Sequence, residues 1–196
     1  MTTYIDVMRH GEPVGGRRYR GYSVDDPLTE KGWSQMRAAV PEEPRWQHIY
    51  SSPLKRCSAF AQELAEDLHV PCSIVENLKE IGFGAWEGKT PEEILAEDSE
   101  ALDHFYKDPV HNRPQGAEPL NQFSHRVWQA YQDILNEHQD QHILIVAHAG
   151  VVRAITANIL MMSLDDVYSR LRVEYGATIR STIEQDKPPK LVISNN

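Results

Sequence analysis

Four short apolar runs punctuate the chain: Tyr4 to Met8, a run ending at Ile49 and Tyr50, Ser73 to Val75, and Ile143 to Ala147. Each has the length of a strand, and continuous apolarity rather than strict alternation marks strands covered on both faces. Between them, apolar residues recur at spacings of three and four, the period of a helix with one buried face. Leu54, Cys57, Ala61, Leu64, Ala65 and Leu68 form one such set, and Phe123, Val127, Tyr131, Ile134, Leu135 and His138 a second. Val151 to Leu160, after Gly150, forms a third. Strand alternating with helix predicts an α/β fold, a largely parallel sheet with helices on both faces. Thr178 to Ile183 and Leu191 to Ser194 flank a polar, proline-containing turn at 185–190, the pattern of an antiparallel hairpin at a sheet edge.

At 196 residues the chain is long enough for one well-buried core. No repeat, low-complexity tract or shift of composition divides it, and the loop-like stretch from Asp108 to Pro119 fits inside one domain, so a single domain over 1–196 is expected. Lysine and arginine total 20 against 29 acids, a formal charge of −9. That balance argues against a nucleic-acid or anionic-membrane binder, because phosphate backbones reward clustered positive charge. Any anionic ligand must be held by a few local cations. Cys57 and Cys72 form no CxxC pattern, so neither a zinc nor a redox motif is read. The first residues show no charged segment leading into an apolar run, and no stretch approaches the roughly 20 apolar residues of a membrane span, so the cytoplasm is the expected compartment.

Ligands of parallel α/β sheets collect at the carboxyl ends of the strands. After the first apolar run come Arg9, His10, Gly11 and Glu12; after the second, Ser51-Ser52-Pro53-Leu54-Lys55-Arg56; after the third, Glu76 to Glu80 and a glycine-rich stretch to Gly88; after the fourth, His148, Ala149 and Gly150. Two arginines, two histidines and a carboxylate therefore stand at four strand ends, with glycines that let backbone amides approach a ligand. Together they suit phosphoryl transfer. A phosphomonoester dianion needs its oxygens neutralised, which Arg9 and Arg56 can do. A neutral imidazole can attack phosphorus, while a carboxylic acid protonates the departing alkoxide. Taken singly, each residue has a bland explanation, as a surface pair, a solvated helix residue or the end of a strand; their common placement is what points to a site.

The segment Arg9-His10-Gly11-Glu12 resembles the signature of the histidine phosphatase superfamily, which includes the phosphoglycerate mutases. The resemblance continues, in order, through Asp26 to Gly32, Ser51 to Arg56, Leu78 to Gly88 and Val146 to Val151. It implies a three-layer α/β/α sandwich with a mainly parallel sheet and an antiparallel edge strand. It also implies that His10 is the phosphorylated nucleophile, that Glu80 is the proton donor and then acceptor, and that Arg9, Arg56 and His148 complete the phosphate pocket. Gly11 and Ala149, beside the two histidines, and Gly21 and Tyr22, in the loop 13–25, join the expected phosphate- and substrate-binding set. Neither metal nor cofactor is implied. Within the superfamily the chain is most similar to the α-ribazole phosphatases of cobalamin nucleotide-loop synthesis, on Glu80 to Gly88, the compact length and the segment from Asp103 to Leu120. It departs from the broader pattern at Pro13 and Gly16, where relatives carry a threonine and an asparagine that contact substrate, and at Ala149, where glycine is commoner.

The expected function is thus hydrolysis of a small phosphomonoester, with α-ribazole 5′-phosphate as the named candidate and a sugar-phosphate or broad-specificity phosphatase as the alternative. A mutase would need extra chain to enclose its substrate. A catalytically silent phosphate-binding protein would have lost His10 or Glu80, and both are present. A metallohydrolase is disfavoured because no HExxH or similar spacing occurs, and His104, His111, His125, His138 and His142 scatter over helical and loop segments.

Overall fold

The computed structural model describes residues 2–184 and 187–192. Six strands form one sheet: β1 (Thr2–Arg9), β2 (His48–Ser51), β3 (Cys72–Ile74), β4 (His142–Ala147), β5 (Thr178–Glu184) and β6 (Lys190–Val192), in the order β3-β2-β4-β1-β5-β6. The first four run parallel, as expected from their apolar runs. The late hairpin forms, with one difference. β5 pairs antiparallel with β1 along its whole length and β6 antiparallel with β5, so the hairpin adds two strands beyond β1, with β6 at that edge of the sheet and β3 at the other. Gln185 and Asp186 of the turn, and Ile193 and Ser194 of the expected second strand, lie outside the described residues.

Seven helices accompany the described strands: α1 (Glu30–Ala38), α2 (Lys55–Leu68), α3 (Pro91–Glu97), α4 (Ala101–Lys107), α5 (Leu120–Glu137), α6 (Ala149–Leu160) and α7 (Leu164–Arg170). The two-residue period of the central strands sorts their side chains into two cores. Ile5 and Val7 of β1 and Ile143, Ile145 and Ala147 of β4 pack with Phe123, Val127 and Tyr131 of α5 and with Val151, Val152 and Ile155 of α6. Met8 of β1 and Leu144 and Val146 of β4 face the other way, onto Met36 of α1 and Cys57, Phe60, Ala61 and Leu64 of α2. Helices therefore cover both faces, giving three layers.

One charged residue interrupts the alternation. Asp6, in mid-β1, is buried, and its carboxylate accepts from Trp46 Nε1 (2.8 Å), His142 Nε2 (2.9 Å) and two guanidinium nitrogens of Arg180 (2.7 and 2.9 Å). Burial alone would raise this carboxyl, but the bonds from Arg180, His142 and Trp46 outweigh it and hold the pKa at about 2. A depressed carboxylate contributes stability that is complete above its unfolded pKa, near 4, and is lost as pH falls towards 2. The protonation linkage amounts to roughly 2–3 kcal/mol. Asp6→Asn should therefore be markedly less stable than wild type at pH 7, and the gap should narrow between pH 4 and pH 2. Urea midpoints measured across that range check it; a gap independent of pH would show that the charge does not matter.

Candidate active site

The parallel strands end together, and the segments that leave them converge on one region above the sheet. Arg9 is the last residue of β1, and His10, next in the chain, is fixed by its backbone N–H donating to Ala147 O at the end of β4 (2.9 Å). The His10 ring is buried, and Nδ1 lies 2.7 Å from Gly11 O. A carbonyl only accepts, so Nδ1 carries the proton and the Nε2 lone pair is free. His148, directly after β4, is fully buried with its ring edge-on to His10, centroids 5.2 Å apart, and its Nε2 lies 2.7 Å from Ser52 Oγ. Ser52 comes just after β2 and is held there by its own N–H bonding to Val146 O (3.0 Å).

Two arginines flank these rings. Arg56, in the first turn of α2, is 1% exposed and donates through Nη1 to Val24 O (2.9 Å) and through Nη2 to Gly21 O (2.7 Å). Arg9 donates through Nη1 to Val173 O, and its guanidinium lies 4.0 Å over the Tyr175 ring. The Nε–H of both is buried without a partner, so each keeps a donor for a ligand. Among the described residues, no carboxylate pairs with either guanidinium. Burial first, then the charges of Arg56 and Arg9, hold His10 well below the ordinary imidazole pKa. Burial, Arg56 and His10 do the same to His148. Both shifts favour the neutral imidazole.

The loop beneath His10 is set by α1, a helix the apolar pattern does not signal. Thr29 caps it, accepting from Gly32 N (2.9 Å) and donating to Glu12 O (3.0 Å). A Cβ on Gly11 would stand 2.0 Å from Gly32 O, and one on Gly32 would stand 2.2 Å from Glu12 O. These two glycines let the His10 loop rest directly on the helix backbone. Gly11, expected as a phosphate contact, thus serves through its close packing and through the carbonyl that anchors His10.

Glu80 lies beyond the strand ends, past a 3-10 turn (Glu76–Leu78) that comes after β3. Its carboxylate accepts from Ile81 N (3.0 Å) and from Gly150 N (3.3 Å) in the first turn of α6. It is thereby brought to the helix that begins immediately after His148. Ala149, half-buried at the start of α6, lies between the two. Its acidic neighbours do other things. Glu76 is exposed and pairs with Lys79 (2.7 Å). Glu87 accepts from Phe83 N (2.8 Å), Ser23 N (3.0 Å) and Ser23 Oγ, clasping the loop 13–25 to the turn at Gly84–Trp86. Gly21 adopts a positive φ of 54° there, and a Cβ on it would collide with Glu87. Tyr22 is 41% exposed, with the Lys79 ammonium 4.8 Å over its ring, and it rests against Gly82 at the rim.

Several polar residues at the site carry no sequence signal. Arg20 is buried, pairs with Asp26 (2.9 Å) and donates to Val14 O and Gly16 O, bracing the loop 13–25. Arg126 of α5 bonds the Glu80 carbonyl (3.1 Å) while forking onto Glu118. Arg113 and Tyr168 approach Glu80 from the loop 108–119 and from α7. A broad cleft lined by Tyr4, Arg45, Trp46, His142 and Arg180 lies at the amino ends of β1 and β4, away from both histidines.

Comparison with known proteins agrees with this geometry. A profile of the histidine phosphatase superfamily (branch 1) matches residues 5–196. The chain is 31% identical over 170 residues to phosphoserine phosphatase 1 of Hydrogenobacter thermophilus, covering 83% of this chain and 79% of that one. It is also 31% identical over 176 residues to the adenosylcobalamin/alpha-ribazole phosphatase of Salmonella typhimurium, covering 87% and 85%. Among solved structures, Bacillus stearothermophilus YhfR superposes with a TM-score of 0.83 at 30% identity, covering 93% of this chain and 92% of that one. A buried histidine beside the buried Arg56 and the half-buried Arg9, a second buried histidine and a match spanning nearly the whole sequence lead to one conclusion: the chain belongs to the histidine phosphatase superfamily, and it is a phosphatase.

Proposed function

We propose that the chain hydrolyses a small phosphomonoester through a covalent phosphohistidine on His10. The observation that carries this is the state of that ring: biased towards the neutral form, its Nδ1–H tied to Gly11 O, its Nε2 free, and Arg9 and Arg56 beside it each holding an unpartnered Nε–H. The Nε2 lone pair attacks phosphorus as the ester P–O bond breaks, and Glu80 gives its proton to the leaving alkoxide. Water then attacks phosphorus as the N–P bond breaks, and Glu80 takes the proton of that water. Arg9, Arg56 and His148 hold the phosphoryl oxygens, whose charge the two guanidiniums neutralise in the transition state.

For the leaving group, α-ribazole 5′-phosphate is supported by the Salmonella relative and by the sequence from Glu80 to Gly88. A phosphorylated amino acid is supported equally by the Hydrogenobacter relative. Rapid acid-free quenching of wild type with 32P-labelled substrate should trap label that is stable in base and labile in acid, on His10. Turnover should persist after exhaustive chelation, because the two guanidiniums supply the positive charge. Label on another residue would overturn the role of His10, and a requirement for an added divalent ion would overturn the metal-free mechanism.

A further inference from the structure

Among the described residues, the buried side-chain polar atoms without a hydrogen-bond partner are Arg9 Nε, Arg56 Nε, Arg113 Nε and Nη1, Asp165 Oδ1 and Tyr168 Oη. Two belong to the phosphate cradle. Arg113 and Tyr168 lie near Glu80, the proposed proton donor to the leaving group. We propose that they form the subsite for the leaving alcohol, and that this alcohol carries a second anionic group, a carboxylate or a phosphate.

The placement rests on contacts. A Cβ built on Gly150 would stand 2.2 Å from Glu80 Oε1 and 3.1 Å from the Tyr168 hydroxyl, so the acid and the phenol flank one small space above the start of α6. Arg113 donates through Nη2 to Gly82 O (3.0 Å), two residues past Glu80, and is close enough for the charge of Glu80 to bear on it. The rings of Phe83 and Phe105 have their centroids 5.5 and 5.8 Å from its guanidinium carbon. The neighbouring carboxylate, Glu118, acts on it through space but makes no hydrogen bond to it. Glu118 is occupied by a fork from Arg126 (2.7 and 2.9 Å) and by Gly82 N (3.1 Å). The Tyr168 hydroxyl is likewise buried near Glu80, and burial first, then the charge of Glu80, raises the phenol pKa. A buried guanidinium with two idle donors is costly unless something accepts from it. An anion on the substrate, a few bonds from the scissile oxygen, would accept from Arg113 and from the Tyr168 hydroxyl. A nucleoside monophosphate such as α-ribazole 5′-phosphate has only the phosphate that the cradle already holds, whereas phosphoserine has a carboxylate at that distance.

This reading rests on the phosphohistidine mechanism, and matched substrates separate the two. O-phosphoserine and O-phosphoethanolamine differ only in the carboxylate; propane-1,3-diol bisphosphate and 3-hydroxypropyl phosphate differ only in the second phosphate. Wild type should favour the member bearing the extra anion in at least one pair, by tenfold or more in kcat/KM, and the favoured pair identifies the anion. Arg113→Met should bring that ratio close to one, Arg113→Lys should restore part of it, and Tyr168→Phe should reduce it. A wild-type ratio near one in both pairs, which needs no variant, would overturn the subsite. So would an equal loss on both members in Arg113→Met, which would instead make Arg113 a positioning residue for Glu80. Trapped phosphohistidine in either case leaves the mechanism standing; its absence with every substrate would remove the mechanism itself.

Discussion

The His10→Ala protein is expected to hydrolyse phosphomonoesters at least about 10⁴-fold more slowly than wild type, with little change in how tightly it holds phosphate. The asymmetry comes from the division of labour at the strand ends. The guanidiniums of Arg9 and Arg56 are fixed by Val173 O, Gly21 O and Val24 O, none of which depends on the imidazole. Deleting the ring removes the atom positioned to attack phosphorus but leaves the anion cradle intact. Gly11 O loses its donor, an expected cost of about 1–3 kcal/mol in stability, which the fold should survive. Single-turnover assays, together with inorganic phosphate binding by calorimetry, measure both halves. Undiminished turnover would exclude His10 as nucleophile, and loss of phosphate affinity in step with turnover would mean that the ring contributes to binding rather than chemistry.

Glu80→Gln should separate substrates by their leaving groups. Removing a general acid typically costs about 10²–10⁴-fold, but only where the departing oxygen needs a proton. A serine or ribose alkoxide needs one; p-nitrophenolate scarcely does. Phosphorylation by an alkyl phosphate should therefore collapse, while p-nitrophenyl phosphate still phosphorylates His10 and then stalls, because the same carboxylate activates water. A burst of p-nitrophenol followed by slow turnover is the expected trace. Glu76→Gln is the silent control, since Glu76 pairs only with Lys79 at the surface. Glu87→Gln is not silent: it loosens the clasp on Ser23 and Phe83 and should slow both substrates alike. Equal slowing of both phosphorylation steps in Glu80→Gln, or a leaving-group-selective defect in Glu76→Gln, would move the acid elsewhere.

The parts of this molecule that can be read from the sequence are those where one local pattern suffices. Parallel strands read as short apolar runs, and α2, α5 and α6 each bury a full stripe, so β1 to β4 and these three helices lie within a few residues of where their patterns place them, although β3, expected as buried, is a partly exposed edge strand. α1 buries only Gly32 and Met36, and α3, α4 and α7 have seven residues each, too few turns to show a period. Arg9, His10 and His148 stand at strand ends, and Arg56 in the first turn of the helix that follows β2, and they are legible for that reason. Glu80 is not. Only the family resemblance chooses it over Glu76 and Glu87, and the amide of Gly150 now gives it a structural reason. Arg20, Arg113 and Tyr168 come from a loop, another loop and a short helix, and nothing in their own neighbourhoods announces where they meet.

The proposed mechanism and the proposed alcohol subsite give chemistry and selectivity separate addresses on the backbone. The groups proposed to act on phosphorus sit at strand ends or, for Arg56, in the first turn of the helix after β2, and the register of those strands is pinned by the ladder between β1, β2 and β4, so shifting any one of them would disturb the sheet. Arg113 hangs from the loop 108–119, and Tyr168 from a short helix, neither of which is part of that ladder. Such segments accept insertion and substitution at small cost to folding. Descendants of one ancestor can therefore change the alcohol they recognise while inheriting the phosphoryl machinery whole. Relatives that differ from this chain by the same amount and carry the names of different substrates are what such an arrangement leaves behind. For protein engineering, retargeting should begin at 108–119 and α7, with the strand ends left untouched.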